Sequence, residues 1–308
     1  MSSSKAKDTT AYPQPGQVPP QTQLHHDQPG LQSEMTPKPN DTELEAENKG
    51  LEEYRGSGKL EGKVALITGG DSGIGRSAAI MFAKEGANVA IAYTPQEEQD
   101  AQEVKQRIEA EGRQCLLLPT DISIEQNCSD IVSRTVSTLG HLDILVNNAA
   151  VQYIIPDITQ LTTAQLEKTF KTNIFSMFWL VKAAVPHLKT GASIINTTSV
   201  TAYKGSPSLL DYSSTKGAIV SFTRSLALQL APKGIRVNAI APGPIWTPLQ
   251  PVSRSEESIK EWQEKTPPLG RIGQPAECGP SYVFLASKEG SYYTGQVLHP
   301  NGGQWLGG

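Results

Sequence analysis

The most constraining stretch of this 308-residue chain lies near its first quarter. A β-rich apolar run, Lys63–Thr68 (KVALIT), ends directly in Thr68-Gly-Gly-Asp-Ser-Gly-Ile-Gly75, and a helical pattern follows. A strand that turns on glycines into a helix is one half of a strand–helix–strand unit. Gly69, Gly73 and Gly75 permit a tight turn and a close approach of backbone to a bound group. The helix start behind them supplies unpaired N–H donors and a positive dipole end, which suit a diphosphate. The candidate binding loop is therefore Gly69, Asp71, Ser72, Gly73, Ile74 and Gly75. Its spacing is TGxxxGxG, not GxGxxG. A plain tight turn with no ligand is the competing reading.

The same alternation repeats along the chain. Asn88–Tyr93, Gln114–Pro119, Leu142–Asn147, Ala192–Thr198 and Ile235–Ala241 are short, nearly continuous apolar runs. Between them, helical periodicity covers about 74–86, 97–111, 124–139, 163–188 and 213–231. Such a pattern predicts an α/β fold, a Rossmann-type doubly wound parallel sheet with helices on both faces. Ala78, Ala79 and Ala83 would let the first helix lie close to that sheet.

Charge marks a boundary before this pattern begins. Residues 1–55 carry nine acids and five bases, a net charge of −4, and no Phe or Trp. They include Tyr12-Pro-Gln-Pro-Gly-Gln-Val-Pro-Pro-Gln, which has no apolar period. That composition predicts an acidic, Pro/Gln-rich extension, either disordered or an arm laid on a neighbouring subunit. Residues 56–308 carry 22 charges of each sign and are long enough for one catalytic domain. A neutral body offers nothing to a phosphate backbone, so no nucleic-acid partner is expected. No apolar stretch reaches membrane-span length, and the N-terminus lacks the apolar segment of a signal peptide. Cys115, Cys128 and Cys278 read as reduced thiols of a cytoplasmic protein. His25-His26 has no nearby third ligand, so no metal is expected.

The residues for a dinucleotide can be followed further. An acid about 20 residues past the glycines would hold an adenosine ribose. Asn88–Gln96 contains none, and the second run ends at Tyr93. No Arg or Lys stands there for a 2′-phosphate either, while Asp71 would accept from ribose hydroxyls and repel an added phosphate. The choice of NAD or NADP stays open. Asp121, followed by Ile122, is placed to accept from an adenine amino group, or else to cap the following helix.

TGGDSGIG, Asn147-Asn148-Ala149-Ala150, Ser199, Tyr212-Ser-Ser-Thr-Lys216 and Pro242-Gly243 stand in the order of the short-chain dehydrogenase/reductase family, which residues 60–303 resemble. With its extension, LEGKVALITGGDSGIG and APGPIWT, the chain more narrowly resembles a branch described as aldehyde reductase-like, general-stress or glucose/ribitol dehydrogenase-like. The resemblance implies an NAD(P)-dependent oxidoreductase acting on a carbonyl/alcohol pair such as a small aldehyde, ketone or polyol. It implies Asn173, Ser199, Tyr212 and Lys216 as the catalytic set, with Ser199 on the substrate oxygen and Asn173 holding a water linked to the lysine. Lys216 would bind the nicotinamide ribose. Asn148, Ala149, Pro242, Gly243, Ile245 and Thr247 would flank the nicotinamide. Ala150 replaces the family's commoner glycine, which puts the local loop geometry in question.

The chemistry also follows from the residues. Tyr212 and Lys216 are four apart on a predicted helix and share a face. A free phenol titrates at about 10, and bringing it to about 7 takes roughly 4 kcal/mol of differential stabilisation. A nearby ammonium and a positive nicotinamide would favour the phenolate, so a lowered Tyr212 pKa is expected. Tyr212 would give a proton to a carbonyl oxygen in reduction and take one in oxidation.

Residues 246–271 form the family's variable lid. Its Trp246, Leu249 and Trp262 read equally as substrate contacts or as lid core; Trp246 is the substrate candidate beside Ser199 and Tyr212. Phe175, Phe178, Trp179, Val220, Phe222, Leu226 and Leu230 exceed one core stripe on the helices that pair subunits in the family, which implies a homotetramer. A cofactor-binding regulatory or scaffold protein is the alternative function. An enoyl reductase is disfavoured, because those enzymes usually space their Tyr and Lys more widely. Deletion of residues 1–50 is expected to leave the chemistry intact.

Overall fold

The computed structural model describes residues 11–12, 28–47, 50–254 and 267–307. Its frame is a seven-stranded, all-parallel sheet. The strands are β3 (Val64–Thr68), β4 (Asn88–Tyr93), β5 (Cys115–Pro119), β6 (Ile144–Asn147), β7 (Ser193–Thr197), β8 (Arg236–Ile240) and β9 (Val297–Leu298), in spatial order β5-β4-β3-β6-β7-β8-β9. Order reverses between β3 and β6, which opens a crevice above their C-terminal ends. All six expected runs are strands. The two-residue β9 is too short to show in an apolar pattern.

Strand residues alternate between two cores because successive side chains point to opposite faces. Ala65, Ile67, Val89, Ile91, Ile144, Val146, Ile195 and Ile240 join α1 (Gly73–Lys84), α2 (Glu98–Ala110) and the later helix Pro275–Ala286 in one core. Leu66, Ala90, Ala92, Leu118, Leu145, Ile194 and Val237 join α3 (Glu125–Leu139), helix Ser176–Ala184 and helix Leu210–Leu230 in the other. The expected helix over 163–188 is α4 (Thr163–Phe170), a π turn over Lys171–Phe175, and α5 (Ser176–Ala184). The short α6 (Thr201–Lys204) precedes α7 (Leu210–Leu230); α8 (Leu249–Ser253) and α9 (Pro275–Ala286) follow. Ala78, Ala79 and Ala83 of α1 are fully buried, as the sequence suggests.

The described part of the extension lies on its own chain. A hairpin pairs β1 (Glu43–Glu45) with β2 (Leu51–Glu53). Asp41 is buried and accepts from Arg76 Nε and from Arg107 Nη1, both at 2.9 Å. Met35 joins Trp246 and Ile272 in a small core, and Trp246 Nε1 donates to Pro37 O at 2.8 Å. Asn40 N donates to Gln274 Oε1, while Asn40 O accepts from Ala276 N. The charge boundary at Arg55 is thus not a packing boundary. The extension is held chiefly by hydrogen bonds and ion pairs, which leave no apolar period in the sequence. Most of the Pro/Gln stretch after Tyr12, His25-His26 and Trp262 lie outside the described residues.

Candidate active site

The glycine loop is locked to the strand beside it. Thr68 Oγ1 accepts from the amides of Asn148 (3.0 Å) and Ala149 (3.1 Å), and Asn148 Nδ2 donates to Thr68 O and Gly69 O, both at 3.1 Å. At Gly75 a Cβ would stand 1.9 Å from Gly69 O, so the helix start and loop touch backbone to backbone. Gly73 has φ +54°, where a side chain is strained. This packing keeps the α1 N-terminus open toward a cleft of about 400 Å³ above the sheet.

That cleft gathers almost the whole set expected from sequence. Gly69, Asp71, Ser72, Gly73 and Ile74 line it beside Tyr93, Asp121 and Ile122 at one end. Asn148, Ala149, Ser199, Tyr212, Lys216, Pro242, Gly243, Ile245 and Thr247 line it toward the other. A crevice lined by glycine backbone and a helix start fits a nicotinamide dinucleotide. Gly75 stands behind Gly69 rather than in the lining. Asp121 borders the cleft, and its Oδ1 accepts from Ser123 N at 2.8 Å in the turn before α3, whose N-cap is Ile124.

Two expected residues sit elsewhere. Trp246 is 1% exposed in the core under the extension and lines neither the main cleft nor the pocket adjoining it. It is not placed to touch substrate; its indole satisfies Pro37 instead. Asn173 is fully buried in the π turn, a helix distortion common at functional sites. Its Oδ1 accepts from Val151 N (2.8 Å), and its Nδ2 donates to Val151 O (2.9 Å) and Thr215 Oγ1 (3.2 Å). It ties the loop after β6 to α7, one residue before Lys216.

Tyr212 and Lys216 sit on one face of α7, with Nζ 5.2 Å from the phenol ring centre. Lys216 is 1% exposed, and its Nζ donates to Thr197 O at 2.9 Å. Burial pushes its amine down to about 7. Burial also pushes the Tyr212 phenol up to about 12, against the opposing pull of the Ser199 hydroxyl and the Arg254 guanidinium. Burial thus opposes the lowering that an ammonium and a positive nicotinamide would bring to the phenol. A dry site favours the neutral forms of both groups. Ser199 Oγ accepts from Thr201 N and Thr201 Oγ1, both at 3.1 Å.

The other end holds buried acids that the sequence reading passed over. Asp71 is fully buried, with the Ser72 hydroxyl and the Glu97 carboxyl beside its own carboxyl. Burial raises its pKa, and burial together with the Asp71 charge raises that of Glu97. Asp100, also raised by burial, accepts from Gln32 N (2.6 Å) and Ser33 N (2.9 Å). One signal was visible: Thr94-Pro-Gln-Glu97 is a capping box, and both of its bonds are present. Beside Tyr212, a second pocket of about 270 Å³ is lined by Gln152, Lys204, Gln250, Arg254 and Gln304, with Ser199 and Tyr212 at its floor. Only its floor was legible in sequence.

The comparisons with known proteins agree with this geometry. Residues 69–304 match a family described as enoyl-(acyl carrier protein) reductase. The oxidoreductase YhdF of Bacillus subtilis is 58% identical over 92% of this chain and 94% of its own length. The chloroplastic NADPH-dependent aldehyde reductase 1 of Arabidopsis thaliana is 53% identical over 91% of this chain and 96% of its own. A short-chain dehydrogenase from Burkholderia cenocepacia, solved in complex with NADP, superposes with TM-score 0.75 at 31% identity over 80% of this chain and 99% of that one.

Proposed function

The chain belongs to the short-chain dehydrogenase/reductase family and is a nicotinamide-dependent oxidoreductase; from that premise we propose that it interconverts a small aldehyde or ketone with its alcohol, Tyr212 acting as acid and base. The observation that carries this reading is the convergence of Ser199, Tyr212 and Lys216 on one cleft, with the lysine Nζ 5.2 Å from the phenol ring centre. The matched family's description names enoyl reduction, yet Tyr212 and Lys216 lie one helical turn apart on α7, the spacing suited to carbonyl chemistry in the resemblance above.

A phenol that keeps its proton at neutral pH is ready to donate it. In the reducing direction Tyr212 gives that proton to the carbonyl oxygen, while the Ser199 hydroxyl steadies the charge growing there. A nicotinamide dinucleotide, when bound, supplies or takes up the hydride. Lys216, titrating near neutrality, supports the phenolate left after proton transfer when it is charged. Asn173 keeps Val151 and Thr215 in register and so fixes the lysine's turn of helix. Polar side chains and two cations around the second pocket suit an oxygen-rich substrate, so polyols and sugar-derived carbonyls belong in the first panel. The reading is tested by kcat/KM on aldehydes, ketones and polyols with both NAD(H) and NADP(H). Tight dinucleotide binding without turnover across that panel would favour a regulatory role instead.

The assembly is a homotetramer in this reading. Phe175 is 44% and Phe178 52% exposed, and Phe178 packs its ring against Phe222 at 4.3 Å, an apolar face joining α5 and α7. Light scattering checks it. Among the described residues no helix is long and apolar enough to cross a membrane, which accords with a cytoplasmic location.

A further inference from the structure

The extension does more than cover the body. Gln32 reaches into the glycine loop, where its Oε1 accepts from Gly73 N at 2.7 Å. Only 3% of Gln32 is exposed, and every other polar atom of its side chain and amide is engaged as well. Its Nε2 donates to Asp41 Oδ1 at 2.9 Å, and its backbone N donates to Asp100 Oδ2 at 2.6 Å. Asp41 is in turn fixed by Arg76, which sits on α1 one residue after Gly75. The loop is therefore clamped from outside, at the amide where the backbone takes a positive φ. With Gly73 N committed to Gln32, the Ile74 amide remains at the helix start beside the cleft.

The residues just before Gln32 continue the contact. Gln28, Pro29 and Gly30 line the main cleft. Gln28 Oε1 accepts from Gln152 N at 3.0 Å, and its Nε2 donates to Gln152 O. Gln152 Nε2 reaches Ser253 Oγ at 2.7 Å. One strand of extension thus touches the glycine loop, the loop after β6 and, through Gln152, the end of α8.

We propose that residues 28–41 are a working part of the dinucleotide site, with Gln32 a positioning residue that sets the glycine loop for a diphosphate and Gln28–Gly30 a wall of the cleft. This rests on the oxidoreductase reading above, and it reverses the expectation that the extension is dispensable. Its signature is a loss confined to dinucleotide binding, because the side chain and amide of Gln32 are engaged by Gly73, Asp41 and Asp100.

The test uses the full chain with Gln32→Met, which keeps length and packing but loses the acceptor. The expected result is a dinucleotide Kd, measured by titration calorimetry, raised about tenfold, as for one buried N–H left unpaired. The KM for dinucleotide rises in parallel, kcat at saturating dinucleotide stays within twofold, and amide exchange at the glycine loop quickens in the free protein. Glu52→Ala, exposed on β2 and outside residues 28–41, should change none of these. A Q32M Kd and KM within twofold of wild type overturns the inference, as does a fall in kcat and Tm with KM unmoved. If Q32M does not fold, Gln28→Ala is read the same way, with a threefold or greater rise in Kd expected and no rise overturning the wall. A wild-type chain that bound neither dinucleotide would overturn the oxidoreductase reading and this inference together; a normal wild type beside a normal variant sinks the inference alone.

Discussion

The two ends of the cleft are built from opposite materials. At the Tyr212 end, a phenol and an amine are buried together, and each is held toward its neutral form. At the Asp71 end, three carboxyl groups crowd under the glycine loop, and each is held toward its protonated form. Burial is the first cause at both ends, yet its chemical product differs. One end stores a transferable proton next to a group that can later become positive. The other crowds carboxyl groups that oppose one another's ionisation, so any further negative group meets resistance. The first arrangement suits catalysis, and the second suits discrimination between ligands.

The largest expected effect strikes the first end alone. Tyr212→Phe should lower kcat/KM by about 10²–10⁴ and leave dinucleotide Kd unchanged within twofold, by steady-state kinetics and calorimetry. Retained activity would remove the distinction between the ends. Lys216→Met should lower kcat about a hundredfold, the low end of the range for a positioned acid–base group, and raise Tm at pH 6. The lysine titrates near 7 in the fold but at about 10.5 when unfolded, so the unfolded chain holds the extra proton between those values. Wild-type stability therefore rises as pH climbs from about 7 to 10.5, and the full cost of the buried group is felt below 7. The variant escapes that cost, by about 1–4 kcal/mol, and its Tm should lack the alkaline rise. A Tm difference that did not vary with pH would mean the amine is not held neutral.

Smaller effects belong to the acidic end. Asp71→Asn should move the ratio of kcat/KM for NADP(H) over NAD(H) upward by about tenfold, because it removes a charge facing any added phosphate. An unchanged ratio would place discrimination elsewhere. Glu97→Gln should be the mildest. An acid whose pKa is raised on folding adds stability at low pH that is lost as pH rises through the raised value. Glutamine keeps an acceptor for the Thr94 cap and drops that loss, so Tm should gain about 2 °C at pH 9 and nothing at pH 5. A gain that was equal at both values would point to packing instead of charge.

The same two ends differ in how far they could be read from sequence. Strands buried on both faces announce themselves as runs such as VALIT, and their ends fix where Ser199, Asn148 and Pro242 emerge. An i, i+4 pair on a helix fixes Tyr212 against Lys216. The catalytic end was therefore legible down to residue numbers, while the direction of its phenol pKa was not, because desolvation depends on neighbours far apart in the chain. The acidic end depends on Gln32 meeting Gly73 across 41 residues and Asp100 across 68. Such contacts leave no periodic trace. Trp246 shows the same limit: an aromatic residue in a substrate-lid position is drawn into a core by Met35, which composition had assigned to a peripheral tail.

That buried indole has an optical consequence. The chain has four tryptophans, and among the described ones Trp246 has its ring sealed against Met35 with its N–H on Pro37. Lifting residues 35–37 away would admit water to a ring now 1% exposed and shift its emission to the red. The protein thus carries its own spectroscopic gauge of extension docking. In a chain with the other three tryptophans replaced by phenylalanine, seating and release of the N-terminal segment would be readable in real time without a label.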